Sequence, residues 1–155
     1  NLKEQGIVAD YVIMMGYDEH FAGGEAGSVS SINYVKNGIA GMLENVPREK
    51  LIGGVPFYTR LWTEAGDGTI TSKAMGIAEE KRWVDNNQVE LTWQADTAQY
   101  YGEVQTSDGA QFLWMEEERS LKEKMNVIRQ NDLAGVACWK LGFEDSAAWD
   151  SIQWN

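Results

Sequence analysis

Between Asp10 and His20 the chain reads Asp-Tyr-Val-Ile-Met-Met-Gly-Tyr-Asp-Glu-His, five apolar residues in succession that turn abruptly polar. Residues 11–15 show no alternation of apolar and polar positions, so both faces of the segment need cover, which predicts a parallel strand inside an α/β fold. The polar cluster then falls at the strand's C-terminal end. In parallel barrels and open α/β sheets the loops beyond that end build the pocket, so Tyr17 and Asp18 are the first candidates for substrate contact. A competing reading has Tyr17 packed beneath a loop and Asp18 capping the next element, and spacing leaves both open.

Hydrophobic periodicity lays out the elements around this strand. Residues 1–5 read as the tail of a helix ended by Gly6, and the glycine-rich residues 21–27 read as a loop. Ser30 or Ser31 caps a helix to about Glu44, with Ile32, Val35, Ile39, Met42 and Leu43 at helical spacing. Pro47 breaks it. Residues 50–58 then read as a second buried strand whose end carries Tyr58, Arg60 and Trp62. Strand, helix and strand make one parallel crossover unit.

Beyond Thr63 the pattern changes. Residues 65–71 form a glycine-rich connection, and Ser72 caps a weaker helix to about residue 86 with Gly76 inside it. Period-two patterning marks short strands at Val89, Leu91 and Trp93, at 98–104 and at 111–115, with Asp108-Gly109 as a hairpin turn. This is an antiparallel α+β insertion with Trp93 and Trp114 in its core. Glu116, Glu117 and Glu118 read as a solvated run, and Ser120-Leu121-Lys122-Glu123 as a capping box opening a helix to about residue 130. Residues 133–139 form a third buried strand ending in Trp139, and 145–154 a terminal helix with Trp149 inward. The expected division is 1–62, 63–116 and 117–155.

Composition narrows the partners. With 43% hydrophobic residues and seven Trp the chain folds, and a net charge of −11 disfavours nucleic acid and anionic membrane surfaces. One cysteine, Cys138, excludes an internal disulfide and reads as a small buried thiol. A single histidine, His20, reads as a hydrogen-bonded loop residue, and without an HExxH pattern no metal site and no cofactor is expected. Three parallel strands fall short of the eight, over typically about 250 residues, that a closed (β/α)8 TIM barrel needs. The expected architecture is therefore the last three strands of such a barrel with the insertion between the final two. A first residue Asn rather than Met fits a piece of something longer. The unpaired strand edges left by a partial barrel favour self-association unless covered.

Met15-Gly16-Tyr17-Asp18 resembles the M-x-Y-D motif on the sixth barrel strand of glycoside hydrolase family 18, the chitinase family. The run from Gly53 to Arg60 resembles that family's G-x-P-x-Y-x-R segment, Trp114 to Ser120 its W-x-E-D-x-x-S segment, and Gly135 to Trp139 its eighth strand. Within the family, Met-Gly-Tyr-Asp-Glu-His and Pro-Phe-Tyr-Thr-Arg-Leu-Trp are similar to the bacterial subgroup of spore-coat and cell-wall glycosidases. The resemblance implies a polysaccharide of N-acetylated amino sugars as substrate, chitin or peptidoglycan, met outside the cell at the wall or spore surface. It implies cleavage in which the sugar's own acetamido oxygen attacks the anomeric carbon.

Carried over residue by residue, Tyr17 would donate to that carbonyl, Asp18 would join the same polar network, and Trp139 would floor the sugar. Met15 belongs to the same motif, and Tyr58 and Arg60 would lie at the rim. Glu117 stands where the family often has Asp. The family's general acid closes a D-x-x-D-x-D-x-E pattern that these 155 residues do not contain, so it is expected upstream and the chain alone is expected to be inactive. Two other readings stand beside this one. The first is a lectin-like relative that binds sugar without cleaving it, and the second is a protein-interaction module built on the tryptophans.

Overall fold

Each element starts and stops for reasons written in its own first turns. In the computed structural model, which describes residues 1–154, helix α1 (Leu2–Val8) is opened by Asn1, whose side chain accepts from the Lys3 amide. Gly6 does not end it. The residue is buried inside the helix, where an added Cβ would lie 2.4 Å from the Asn45 carbonyl, so its smallness serves close packing. Strand β1 (Val12–Met15) follows. Contrary to expectation only one face of β1 is covered: Met14 is buried, while Ile13 and Met15 are 54% and 67% exposed.

Helix α2 (Ile32–Leu43) is capped by Ser31, with Ile32, Val35 and Ile39 inward as the spacing required. A single 3₁₀ turn (Arg48–Lys50) after Pro47 leads to β2 (Leu51–Pro56). The chain then bends at the fully buried Phe57. Tyr58, Arg60 and Trp62 do not finish β2; they belong to β3 (Tyr58–Glu64), a strand of a second sheet, so that sheet begins ahead of the expected boundary at 62. Ser72 caps nothing. It lies in β4 (Ile70–Gly76), joined to β3 by a tight turn in which Asp67 accepts from the Thr69 amide, and Gly76 is the N-cap of α3 (Ile77–Asn87). The glycines of residues 65–69 thus mark a hairpin, and the β-branched pair Ile70-Thr71 beyond them is strand.

Strands β5 (Leu91–Gln94), β6 (Gln99–Thr106) and β7 (Gly109–Trp114) complete an antiparallel sheet of order β4-β3-β7-β6-β5. Gly109 turns the last hairpin with φ +126°. Helix α4 (Glu118–Gln130) opens three residues earlier than its expected box. Glu117 is the N-cap and Ser120 the N3 residue, each side chain bonding the other's backbone amide. Strand β8 (Gly135–Trp139) and helix α5 (Ser146–Ser151) close the described chain, with Trp149 edge-on to Phe57 at 5.4 Å.

β1, β2 and β8 form a parallel sheet with β2 in the centre, and the register aligns Met15, Gly54 and Ala137. One core lies between this sheet and helices α2 and α4, around Ile39, Leu51, Val55, Leu121, Met125 and Ile128. A second, around Leu61, Met75, Val84 and Leu113, lies under α3.

Glu116 is not part of a solvated face. It is fully buried and paired at 3.0 Å with the equally buried Lys124. Beside it, Glu80 accepts from the Glu116 amide through one oxygen, while its other oxygen has no partner. Burial drives the Glu80 carboxyl well above its ordinary value of 4.5. An acid raised in this way is neutral when folded and ionises when unfolded, so its contribution to stability is full below pH 4.5 and declines as pH climbs toward the folded value. Replacing Glu80 by Gln is expected to stabilise the chain more at about pH 8 than at about pH 5, the gain growing by at most about 1.4 kcal/mol per pH unit. Urea titrations of both proteins at the two pH values check this, and an identical difference at both would count against a neutral Glu80.

Candidate active site

Side-chain alternation along the parallel strands decides what reaches the open face of the sheet. Val136 and Cys138 pack against the core, which turns Ala137 and Trp139 the other way. Met14 likewise points inward, leaving Ile13 and Met15 on the open face. The two central glycines of β2 divide the same way. A Cβ on Gly53 would lie 2.7 Å from Ile128, whereas one on Gly54 would meet the Met14 carbonyl at 2.6 Å and the Tyr17 ring at 3.4 Å. The Tyr17 ring therefore rests on Gly54.

At the C-terminal end of β1 the backbone enters the left-handed region at Asp18, with φ 61°, and this turns its carboxylate toward the second sheet. There the Tyr58 hydroxyl donates to Asp18 Oδ1 at 2.5 Å, and the Tyr17 and Tyr58 rings meet edge to face at 6.2 Å. Burial, with the Asp18 hydrogen bond second, holds the Tyr58 phenol far above its ordinary range. Burial and then the Asp18 charge also raise Tyr17, so its phenol stays protonated and able to donate. Phe143 packs at 6.3 Å against the Tyr58 ring.

The structure brings Tyr17, Asp18 and Tyr58 together, Tyr58 and Asp18 by a hydrogen bond and Tyr17 by its ring contact with Tyr58. Trp139, 53% exposed, faces the same open side, and its carbonyl accepts from the Phe57 amide, one residue before Tyr58. Met15 shares that face one level below. Tyr58, expected at the rim, is buried inside the cluster instead. Arg60 lies two residues further along β3; one of its terminal nitrogens donates to Ser72 at 3.2 Å, and its Nε is buried without a partner.

Glu117 is placed elsewhere. Its carboxylate accepts from the Arg119 and Ser120 amides as the cap of α4, a task Asp performs equally well, which accounts for the exchange in the W-x-E-D-x-x-S segment. Asp18 caps no helix; Ser31 does so for α2, gripped by the Glu19 carboxylate at its amide and hydroxyl. His20 Nδ1 lies 2.8 Å from the Ser28 carbonyl. The Cys138 thiol is half-buried, and burial pushes it up to about 11. Among the described residues no three His, Cys, Asp or Glu side chains are grouped to hold a metal ion. Phe143 carried no signal in the sequence, because it reaches Tyr58 from beyond β8, and Ser72, read as a helix cap, instead accepts from Arg60 across the β3–β4 hairpin.

Parallel strands that end together beside Tyr17, Asp18, Tyr58 and an exposed indole define an α/β protein with a candidate site at its strand ends. The chain belongs to the glycosyl hydrolases family 18, whose model matches residues 1–144. It is 29% identical over 149 residues to the uncharacterized glycosylase YvbX of Bacillus subtilis (strain 168), covering 96% of this chain and 43% of that one. Against the cortical fragment-lytic enzyme of the same organism it is 26% identical, covering 95% of this chain and 35% of the relative. The fold matches the crystal structure of a chitinase from Chromobacterium violaceum ATCC 12472 with TM-score 0.90, at 24% identity over 98% of this chain and 47% of that one. The chain thus spans between about a third and a half of the proteins it matches.

The glycine pair offers a direct check on how the site is seated. Gly54→Ala forces a Cβ against a backbone carbonyl and is expected to cost about 3 kcal/mol, with displaced Tyr17 ring resonances. Gly41→Ala, in α2 with nothing within 4 Å, is expected to stabilise by about 0.5–1 kcal/mol. Denaturation of the two variants with NMR of the aromatic signals separates these outcomes.

Proposed function

We propose that this chain supplies the sixth to eighth strands of a family 18 (β/α)8 barrel, and with them the part of the site that grips an N-acetylated amino sugar. The observation that carries the reading is the bond from Tyr58 to Asp18, set beside a Tyr17 hydroxyl that stays a donor. In substrate-assisted, retaining cleavage the acetamido carbonyl attacks the anomeric carbon, and the enzyme must hold that group in line. Tyr17 is suited to donate to its oxygen, Asp18 to stabilise the positive charge that develops on the acetamido group, and the indole of Trp139 to floor the ring. Arg60 stands next along the cleft, where its buried Nε can answer a sugar hydroxyl.

The general acid lies outside these residues. So do the strands that cover the two edges of the parallel sheet, where Tyr11, Ile13 and Met15 are exposed and a hollow of about 320 Å³ runs between β1 and α2. Self-association through those edges is the expected behaviour of the chain produced alone. The substrate class is a β-1,4-linked glycan containing N-acetylglucosamine, in keeping with relatives named chitinase and cortical fragment-lytic enzyme, and the place of action is the cell wall or spore surface.

The test is turnover of N-acetylglucosamine oligomers and of wall glycan by a protein that joins this chain to a family 18 strand bearing D-x-x-D-x-D-x-E. Tyr17→Phe is expected to lower kcat by about 10²–10³ with little change in KM. Oligomer binding without cleavage by the intact protein would favour the lectin-like reading. Unchanged turnover in the Tyr17 variant would defeat the assignment of the site.

A further inference from the structure

Five side chains that are at least 96% buried form one hydrogen-bonded line from α4 to the backbone that carries Tyr17. Lys124 Nζ donates to both oxygens of Glu116 at 3.0 Å. Gln99 Nε2 donates to Glu116 Oε2 at 3.1 Å, which turns Gln99 Oε1 toward Ser28 to accept from its hydroxyl at 2.5 Å. With its proton so committed, Ser28 Oγ accepts from the Ser30 amide at 3.0 Å. The Ser30 hydroxyl donates to the Gly16 carbonyl at 2.6 Å, and that carbonyl is half of the Gly16–Tyr17 peptide.

Every link has one possible direction. Lysine only donates and a carboxylate only accepts, so the ion pair fixes the Gln99 amide, the amide fixes the Ser28 proton, and Ser28 fixes the Ser30 turn. An apolar core could hold the elements together, but it could not impose this order. The same loop is stitched to the second sheet by Trp62 Nε1 donating to the Gly27 carbonyl and by the Ile32 amide donating to the Thr97 carbonyl, each at 2.9 Å.

We infer that Gln99 and Ser30 are positioning residues: through this line the buried Lys124–Glu116 pair sets the orientation of the Tyr17–Asp18 segment on which the reaction depends. The inference rests on the site proposed above. It gives the insertion a task beyond walling a cleft, since three of its side chains, Gln99, Glu116 and Trp62, hold the loop that carries Asp18.

The variants are Gln99→Leu, Gln99→Glu and Ser30→Ala, the last reporting on the far end of the line should Gln99 variants fold poorly. In this chain, Gln99→Leu and Ser30→Ala are expected to speed amide exchange about tenfold at Gly16 and Glu19, whose amides bond Gly54 and Val29 on either side of Tyr17, and to leave Val55 in β2 unchanged. In the active joined protein both should lower kcat about tenfold at unchanged KM. Gln99→Glu faces Glu116, with Lys124 and Glu80 behind it and His20 beyond Ser28. Only its protonated form can donate to Glu116, so its kcat relative to the parent should recover between about pH 7 and pH 5, while that of Gln99→Leu should not. Folded variants with parental exchange at Gly16 and Glu19 and parental kcat would overturn the inference while Tyr17→Phe remained inactive. Full activity in Tyr17→Phe would instead bring down the site reading on which it rests.

Discussion

The parallel pairing of β2 with both neighbours is the constraint from which the rest of the molecule follows. Its ladder holds Met15, Gly54 and Ala137 at one level, so β1, β2 and β8 run out together and deliver Tyr17, Phe57 and Trp139 to one end. Two consecutive glycines make that strand usable from both sides. Without a Cβ, Gly53 lets Ile128 of α4 sit directly on the backbone, and Gly54 does the same for the Tyr17 ring. The helix layer and the site therefore approach the same strand at adjacent residues on opposite faces.

The insertion is coupled to that layer by polar means where apolar ones would have sufficed for stability alone. Burying Lys124 and Glu116 costs desolvation of two charges, and a well-packed apolar pair is often no less stable. Here the carboxylate accepts from Ser120, Lys124 and Gln99 together, so its acceptor positions are filled from two elements at once. Burial still raises Glu116 from its ordinary value, with Lys124 as the largest opposing influence. What the arrangement adds is direction: a neutral amide placed against a fixed charge has one orientation. Glu80, on α3 behind it, accepts a hydrogen bond from the Glu116 amide alone among the described residues.

How far the sequence disclosed this differs by element. α2 was legible because its cap and its apolar stripe agree, and the three parallel strands were legible because their unbroken apolar runs end in polar or aromatic residues. Both faces of β1 were expected to be covered, yet Ile13 and Met15 stand open; an apolar run reports what a strand is built to meet, which need not lie within this chain. Residues 70 and 71 were read as connection and 72–76 as helix, because Ser72 resembles a cap and Gly76 an interior glycine, when Ile70 and Thr71 already favoured a hairpin partner for β3. The solvated reading of Glu116 to Glu118 failed for one member of the three, since burial of Glu116 depends on Lys124, eight residues later, and on Gln99, in strand β6. Tyr17 and Asp18 could be singled out from their place after β1. The bond from Tyr58 to Asp18 could not, because it requires the chain to have bent into a second sheet at Phe57.

That bend governs how the site responds to the molecule around it. Were Tyr58 the last residue of β2, as its sequence position suggests, it would move rigidly with Tyr17 and Asp18. As the first residue of β3 it moves with the five-stranded sheet, so the 2.5 Å bond from its hydroxyl to Asp18 spans the junction between two sheets. A hydrogen bond to a carboxylate weakens steeply with distance and angle, and a shift of even an ångström between the sheets would release Asp18. The ties from Trp62, Gln99 and Thr97 to the loop after β1 oppose just that shift, and they lie on the Asp18 side of the junction. The insertion and the parallel layer are accordingly tied together where the Tyr58 bond to Asp18 depends on their relative position.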